Sequence, residues 1–228
     1  MSKAIFWMRR DMRFDDNHAL SQATNNFDEV YPVFIFDEKI LSKLKDKSDA
    51  RVNILYKRLQ ELSKVNKVHI LFGDPVELIP KIVKLTGASD VFANEDYESY
   101  ALKRDKTISK EIQLNLYKDT VVMRYDEIVN GKGLPYRVFT AYKNTWLAKL
   151  ESDYRLIGEY KIKRKNIKTT KTIEKLEISS LNEIGFNLSD AKISKINFDV
   201  IDEYDQKRDF PALDNTSKVS VHLRFGFI

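Results

Sequence analysis

Residues Ala4 to Leu20 read AIFWMRRDMRFDDNHAL, and the fold turns on this stretch. Ala4–Met8 is a short apolar run, which suits a buried strand better than a helix of that length. Arg9, Arg10 and Asp11 follow at once, then Arg13, Asp15 and Asp16. A dry strand opening into paired Arg and Asp delivers charge to the carboxyl edge of a sheet, where open α/β sheets bind ligands. The same pattern also suits a βα turn whose charges are simply solvated. Asp15 or Asp16 is expected to cap a helix that starts near Asn17 and carries Ala19, Leu20 and Ala23.

The pattern then repeats. Val30–Phe36 reads as a second strand closed by Asp37, with Pro32 tolerable near its start. Lys39–Leu44 reads as a short helix, and Arg51–Val65 as a longer one with Val52, Leu55, Leu59 and Leu62 on one face. Val68–Phe72 reads as a third strand. Asp74 as N-cap and Pro75 at the first helical position start the next helix, Gly87 ends it, and Pro80 is expected to distort its first turns. Asp90–Ala93 is a fourth strand opening into the acidic stretch Asn94–Glu98. A helix from Tyr100 to Leu114 and a fifth strand at Thr120–Met123 complete the series.

Five alternations of strand and helix predict an α/β domain: a five-stranded, doubly wound, Rossmann-like parallel sheet over residues 1–130. Right-handed crossovers bring Arg10, Asp37, Gly73 and Glu95/Asp96 to one edge. Neither G-x-G-x-x-G nor G-x-x-x-x-G-K-[ST] occurs, which sets aside a glycine-built phosphate cradle.

The 228 residues are 43% hydrophobic and 32% charged, enough apolar content to bury a core. No cysteine is present, and the three histidines (His18, His69, His222) are scattered, so a metal site is not expected. No apolar run approaches the roughly 20 residues that span a bilayer, and the N-terminus has no secretory h-region. A soluble, cytoplasmic monomer without a membrane partner is the expectation. Residues 1–130 balance 21 basic against 21 acidic residues, while 131–228 hold 18 against 13, so the net +5 lies in the second part. Its densest piece, Arg155–Lys175, can meet phosphate backbones but reads first as an extended, soluble linker.

Asn130–Tyr136 is turn chemistry. Tyr136, Phe139, Tyr142 and Trp146 recur at helical spacing, read as a packing face. Residues 176–200 show weak periodicity. Near the end, Thr216-Ser217 are read as a helix cap or, with backbone N–H groups, a phosphate holder. The chain stops in an apolar run, with no later partner for Val219, Val221, Leu223 and Phe225; a piece of a longer chain is expected.

Three blocks bring a family into view. FWMRRDMRFDDNHAL resembles the opening W-x-R-x-D-L-R-x-x-D-N-x-A-L of the DNA photolyase/cryptochrome family. GLPYRVFTAYKNTWL resembles its P-Y-x-V-F-T-P-F-x-x-x-W block, and YDQKRDFPALDNTSKVSVHLRFG resembles the entry to its flavin domain. The resemblance implies an antenna domain (1–130), an interdomain linker (131–198) and the truncated start of an all-α FAD-binding domain (199–228). It implies repair of cyclobutane pyrimidine dimers in UV-damaged DNA by light-driven electron transfer from reduced FAD. A cryptochrome-type photoreceptor and a free-standing chromophore-binding α/β module are the alternatives.

By the same resemblance, Tyr204, Thr216, Ser217, Lys218, Val219 and Ser220 match FAD contacts, and Arg208 matches an arginine of the DNA-binding face. Val219 stands where the family has leucine. The family's remaining flavin contacts have no counterpart in these residues, so no catalytic residue is assigned and the chain alone is expected to be inactive. Folate-binding members carry Asn-Glu just after Tyr-Glu; here Ser99-Tyr100 follow Tyr97-Glu98. The set Arg10, Phe36, Asp37, Arg51, Asp96 and Glu98 is closer to members with a deazaflavin or flavin antenna. Carboxylates accept hydrogen bonds from a ring imide or ribityl hydroxyls, and an aromatic stacks on the ring.

Overall fold

A computed structural model describes residues 1–153 and 157–228. Its first part alternates as the sequence predicts: β1 (Lys3–Met8), α1 (His18–Asn26), β2 (Glu29–Asp37), α2 (Glu38–Leu41), α3 (Ala50–Ser63), β3 (His69–Gly73), α4 (Pro75–Thr86), β4 (Asp90–Asn94), α5 (Ser99–Ile108) and β5 (Gln113–Tyr117). The strands lie in the order β3-β2-β1-β4-β5 and every pairing is parallel. The order reverses between β1 and β4, so their carboxyl ends diverge and leave a crevice there.

Alternate residues of β1 feed two cores. Ala4, Phe6 and Met8 join one with α1 and α3, while Ile5 and Trp7 join the other with Ile79 and Ile82 of α4. Such two-sided burial explains the unbroken apolar runs. Pro32 lies before the β2–β3 ladder, which begins at Val33, and its missing N–H takes no bond from that ladder, although it pairs with Phe6 on the β1 side. Asp74, Pro75 and Gly87 (φ +70°) bound α4 as expected, and that helix runs on through Pro80.

Several expectations are corrected. α1 is capped by Asn17, whose side chain accepts from the Leu20 N–H, and not by Asp15 or Asp16. α5 ends at Ile108 and not at Leu114, because β5 occupies Gln113–Tyr117; Thr120–Met123 forms no strand. As an edge strand β5 reads Gln-Leu-Asn-Leu-Tyr, half polar, and is quieter than the contiguous apolar TVVM. The aromatic helix α6 (Phe139–Ser152) buries none of its residues, and Phe139 is largely exposed, so its aromatics do not form a packed face.

The basic segment is also more ordered than an extended linker. Arg155 lies outside the described residues. Downstream, Ile167 bridges to Val30, the Lys168 N–H donates to the Val30 carbonyl at 2.9 Å, and the Ile178 N–H to the Ile70 carbonyl at 3.0 Å. Ile173 of α7 (Lys171–Glu174) is fully buried, and Leu181, Ile184 and Phe186 enter the α1/α3 core. Short α8 (Tyr204–Lys207) and α9 (Ser220–Phe225) follow. Val219, Val221, Leu223 and Phe225 prove to be helical or flanking. Val221, Phe225 and Phe227 pack on the core, so the run has partners after all, with Leu223 exposed.

The strap's anchor on the sheet includes His69, a buried residue of β3. Its Nδ1 meets Glu177, and its Nε2 accepts from the Thr170 N–H at 3.4 Å, which makes the ring a neutral Nδ1–H tautomer. Lys67 holds Glu174 at 2.9 Å and Glu177 at 3.4 Å. Burial lowers the His69 pKa more than Glu177 raises it. Unfolded histidine takes its proton near pH 6.5 and the folded one only below that, so in this window the unfolded state binds more protons. Stability contributed here is full above about pH 6.5 and declines as pH falls. The urea midpoint should therefore drop between about pH 7 and pH 5, and His69→Gln should flatten that drop; identical profiles for the two proteins would contradict the assignment.

Candidate functional site

The carboxyl ends of β1 and β2 and the start of α5 surround a cavity of about 570 Å³. That volume is within the range of about 300–1,000 Å³ usual for small-molecule sites. All six residues assigned above to one ligand line it: Arg10, Phe36, Asp37, Arg51, Asp96 and Glu98. They come from three strand ends and the start of α3, brought together by the parallel order of the sheet.

The cavity floor is a stack of charge on an aromatic ring. The Arg9 guanidinium lies 3.9 Å and that of Arg104 lies 4.6 Å from the Trp7 ring centroid. Arg9 donates to both carboxylate oxygens of Asp105, at 2.7 and 3.0 Å, and Arg104 Nε donates to Asp105 at 3.1 Å. Arg104 and Asp105 are buried, and the Arg9 side chain is only 7% exposed. Burial pulls the Arg9 pKa down against the pull of Asp105. Above them, the Tyr100 hydroxyl donates to Asp37 at 2.8 Å, and burial followed by that bond pushes the phenol up. Arg104 Nη1 stands 3.6 Å from Asp37, while Arg104 Nη2 is buried with no protein partner. Arg9 Nε in the same stack is likewise buried without a protein partner, and each such N–H is costly to leave unpaired.

The rim is an ion cluster. Arg10 Nη2 is 2.9 Å from Asp96 and 2.8 Å from Glu98, and Arg224 of α9 is 3.0 Å from Glu98. The hydrogen bond from Arg224, then Arg10, holds the Glu98 carboxyl below its ordinary range. Arg51 folds back on Asp49 at 2.6 Å, and Phe36 packs edge-on to Phe34, with centroids 5.0 Å apart. Beyond the cluster a second hollow of about 360 Å³ occupies the β1/β4 switch point, lined by Asp11, Asn94 and Thr120 among others.

The second set of assigned residues is placed differently. Tyr204 opens α8 and Arg208 follows it, both exposed, with the Arg208 guanidinium 5.9 Å from the Tyr204 ring. Thr216 and Ser217 do not cap α9; Val219 stands at that position and makes no cap bond. Lys218 adopts φ +54° and pairs with Asp214 at 2.7 Å. Ser220 lies on the wall of the larger cavity, whereas Tyr204, Arg208 and Thr216–Val219 line none of the three principal cavities. Tyr100, Arg104, Asp105 and Arg224 join the site without having been expected there. A signal for the first two exists, since Tyr100 and Arg104 are four apart on one face of α5. Nothing local marks Arg224.

Residues 4–160 match the family described as DNA photolyase. The chain belongs to that family. The deoxyribodipyrimidine photo-lyase of Synechococcus sp. is 27% identical over 252 residues, covering 98% of this chain and 51% of that protein. The enzyme of that name from Escherichia coli is 24% identical over 245 residues, covering 99% and 52%. This photolyase-family chain thus spans about half the length of these curated relatives. Among solved structures, the Sulfolobus tokodaii photolyase superposes with a TM-score of 0.74 at 22% identity, over 99% of this chain and 52% of that one. The Synechocystis sp. PCC6803 cryptochrome does so at 0.69 and 17%, over 100% and 53%. At these identities the likeness shows a shared fold. Among the described residues no His/Asp/Glu cluster suits a metal, and no helix is long and apolar enough to cross a membrane.

The buried arginines stand on one carboxylate. Asp105→Ala leaves Arg9 and Arg104 without their shared partner, and should cost about 3–5 kcal/mol in urea unfolding, as loss of one member of a buried ion pair does. Asp105→Asn keeps hydrogen bonds and should cost less; equal, small losses for both would show that this charge is not needed.

Proposed function

We infer that this chain supplies the chromophore-gathering half of a DNA photolyase acting on UV-damaged DNA, and that its larger cavity holds a planar deazaflavin or flavin ring. The observation that carries the reading is the meeting of Arg104, Asp37 and Tyr100 in the wall of that cavity, with the Tyr100 hydroxyl on Asp37 at 2.8 Å and Arg104 Nη1 3.6 Å from it. A ring carbonyl accepts from the Arg104 guanidinium. Asp37 accepts from a ring imide, Phe36 gives an aromatic wall, and Asp96 and Glu98 at the rim accept from ribityl hydroxyls. The Sulfolobus tokodaii photolyase was solved with two FAD molecules, implicating a novel light-harvesting cofactor, which supports a flavin-type ring over a folate. When bound, such a ring absorbs near-ultraviolet or blue light. The residues of this chain hold it, exclude water from its buried face and fix its orientation.

Tyr204, Thr216, Ser217, Lys218, Val219 and Ser220 remain the proposed FAD contacts. Of these only Ser220 lines one of the three cavities described above, so they do not together fit the group, and the electron-transfer step of dimer repair is not built from them. Arg208, exposed at the end of α8, is a proposed phosphate contact, and the excess of basic residues in 131–228 favours such contacts.

Titration of FMN, riboflavin and a deazaflavin followed by fluorescence should give saturable binding, with a methenyl folate binding much less. Arg104→Met should weaken ring binding by about tenfold or more, the usual worth of a hydrogen bond to a charged group. Tighter folate binding, or ring binding indifferent to Arg104→Met, would count against the proposal. With added FAD and blue light the chain by itself should repair no pyrimidine dimers; measurable turnover would show that its flavin contacts suffice.

A further inference from the structure

Helix α9 closes the ring cavity. Ser220, Val221, Arg224 and Phe225 stand in its wall, and Leu223 with Arg224 stand in the wall of the neighbouring switch-point hollow. The helix is seated on the sheet by contacts far apart in sequence. The Met12 N–H donates to the Phe225 carbonyl at 3.0 Å, Arg58 Nη2 donates to the Phe227 carbonyl at 3.2 Å, and Arg224 pairs with Glu98 at 3.0 Å. Val221, Phe225 and Phe227 pack on the α1/α3 core. Gly226 ends the helix at φ +59°, and a Cβ there would lie 2.5 Å from the Arg10 carbonyl oxygen and 2.7 Å from Asp11 Cα. The backbone of α9 therefore reaches its seat only because residue 226 is glycine.

The residues just before α9 are Thr216–Val219, the run that resembles the family's flavin-phosphate loop. It is tied down weakly, by the Asn197 N–H on the Ser217 carbonyl at 3.0 Å and by Lys218 on Asp214.

We propose that α9 couples the ring cavity to residues 216–220: a ring bound against Val221 and Phe225 holds α9 on the sheet and so pre-orders that loop, with Gly226 and Arg224 as the positioning residues. This rests on the cavity being a ring site. Coupling of this kind is reciprocal, and its ordinary size corresponds to about 5–150-fold in affinity. A ring that gains contacts only when α9 is seated stabilises the seated state by that differential affinity.

The experiment is hydrogen exchange on residues 213–227 of the wild-type chain with and without saturating FMN, together with FMN titration of Gly226→Ala, Arg58→Met and Arg224→Gln. Circular dichroism checks that the variants fold. Gly226 lies outside the wall of the ring cavity. FMN should slow exchange across 216–227 several-fold, and Gly226→Ala should bind FMN about tenfold more weakly and lose the protection. Arg58→Met, which removes the bond to the Phe227 carbonyl from outside both cavities, should do the same to a smaller degree and stands in if Gly226→Ala does not fold, while Arg224→Gln also alters the cavity wall and reports binding and seating together. FMN binding to the wild type that leaves exchange at 216–227 unchanged, or variants that bind as tightly as wild type, would overturn the coupling and leave the ring site standing. Failure of the wild type to bind FMN, riboflavin or a deazaflavin would overturn both.

Discussion

The structure depends on one buried carboxylate. Asp11 is 1% exposed and accepts from the Arg9 N–H at 2.6 Å, Asn17 Nδ2 at 3.0 Å and Asn94 Nδ2 at 2.6 Å. Asn17 Oδ1 in turn accepts from the Leu20 N–H at 3.1 Å and from Asn94 at 2.9 Å, and Asn94 Oδ1 accepts from the Ala19 N–H at 3.0 Å. One network thus caps α1 and ties the end of β1 to the end of β4. Burial raises the Asp11 pKa and the donors oppose it. A polar network at this depth is stabilising only when all its members are satisfied, and here the two asparagines and the turn supply the partners. Its position is the switch point of the sheet, so it sets how far apart the two strand ends stand and hence the shape of both hollows.

The larger cavity inherits that geometry. Arg10, the residue before Asp11, is aimed at Asp96 because Asp11 fixes the turn beneath it. Arg9 is aimed the other way, onto Trp7 and Asp105. Two guanidiniums sharing one buried carboxylate are expensive to desolvate, and an apolar floor of equal volume would be no less stable. What the charged floor provides is a fixed cation, the Arg104 guanidinium, held against a rigid indole in the wall of the cavity.

The second part of the chain works as clamp more than as tether. The strap from Ile162 to Phe186 fills the open edge beside the start of β2 and contributes Ile173, Leu181, Ile184 and Phe186 to the two cores. α9 covers the carboxyl edge, and the strap covers the other. α6, by contrast, leaves Phe139 and Tyr142 exposed and Trp146 half-buried.

Much of the first part is legible from residue order alone. Short, largely apolar runs mark four of the five strands, the Asp-Pro start and glycine end mark α4, and the Arg/Asp lip marks the edge where the six proposed antenna contacts meet. These features are local: burial on both faces, a cap and a stop signal are each written in adjacent residues. β5 is hidden because an edge strand is only half buried and its pattern is half polar. Asn17 is not distinguished from Asp15 and Asp16 by sequence because all three cap helices well, and only the contact with Asn94 chooses among them. Arg104, Arg224, Gly226 and the buried Phe186 were decided by the tertiary structure. Their environments are made by residues tens to more than two hundred positions away, and no local periodicity records which distant backbone a side chain will meet.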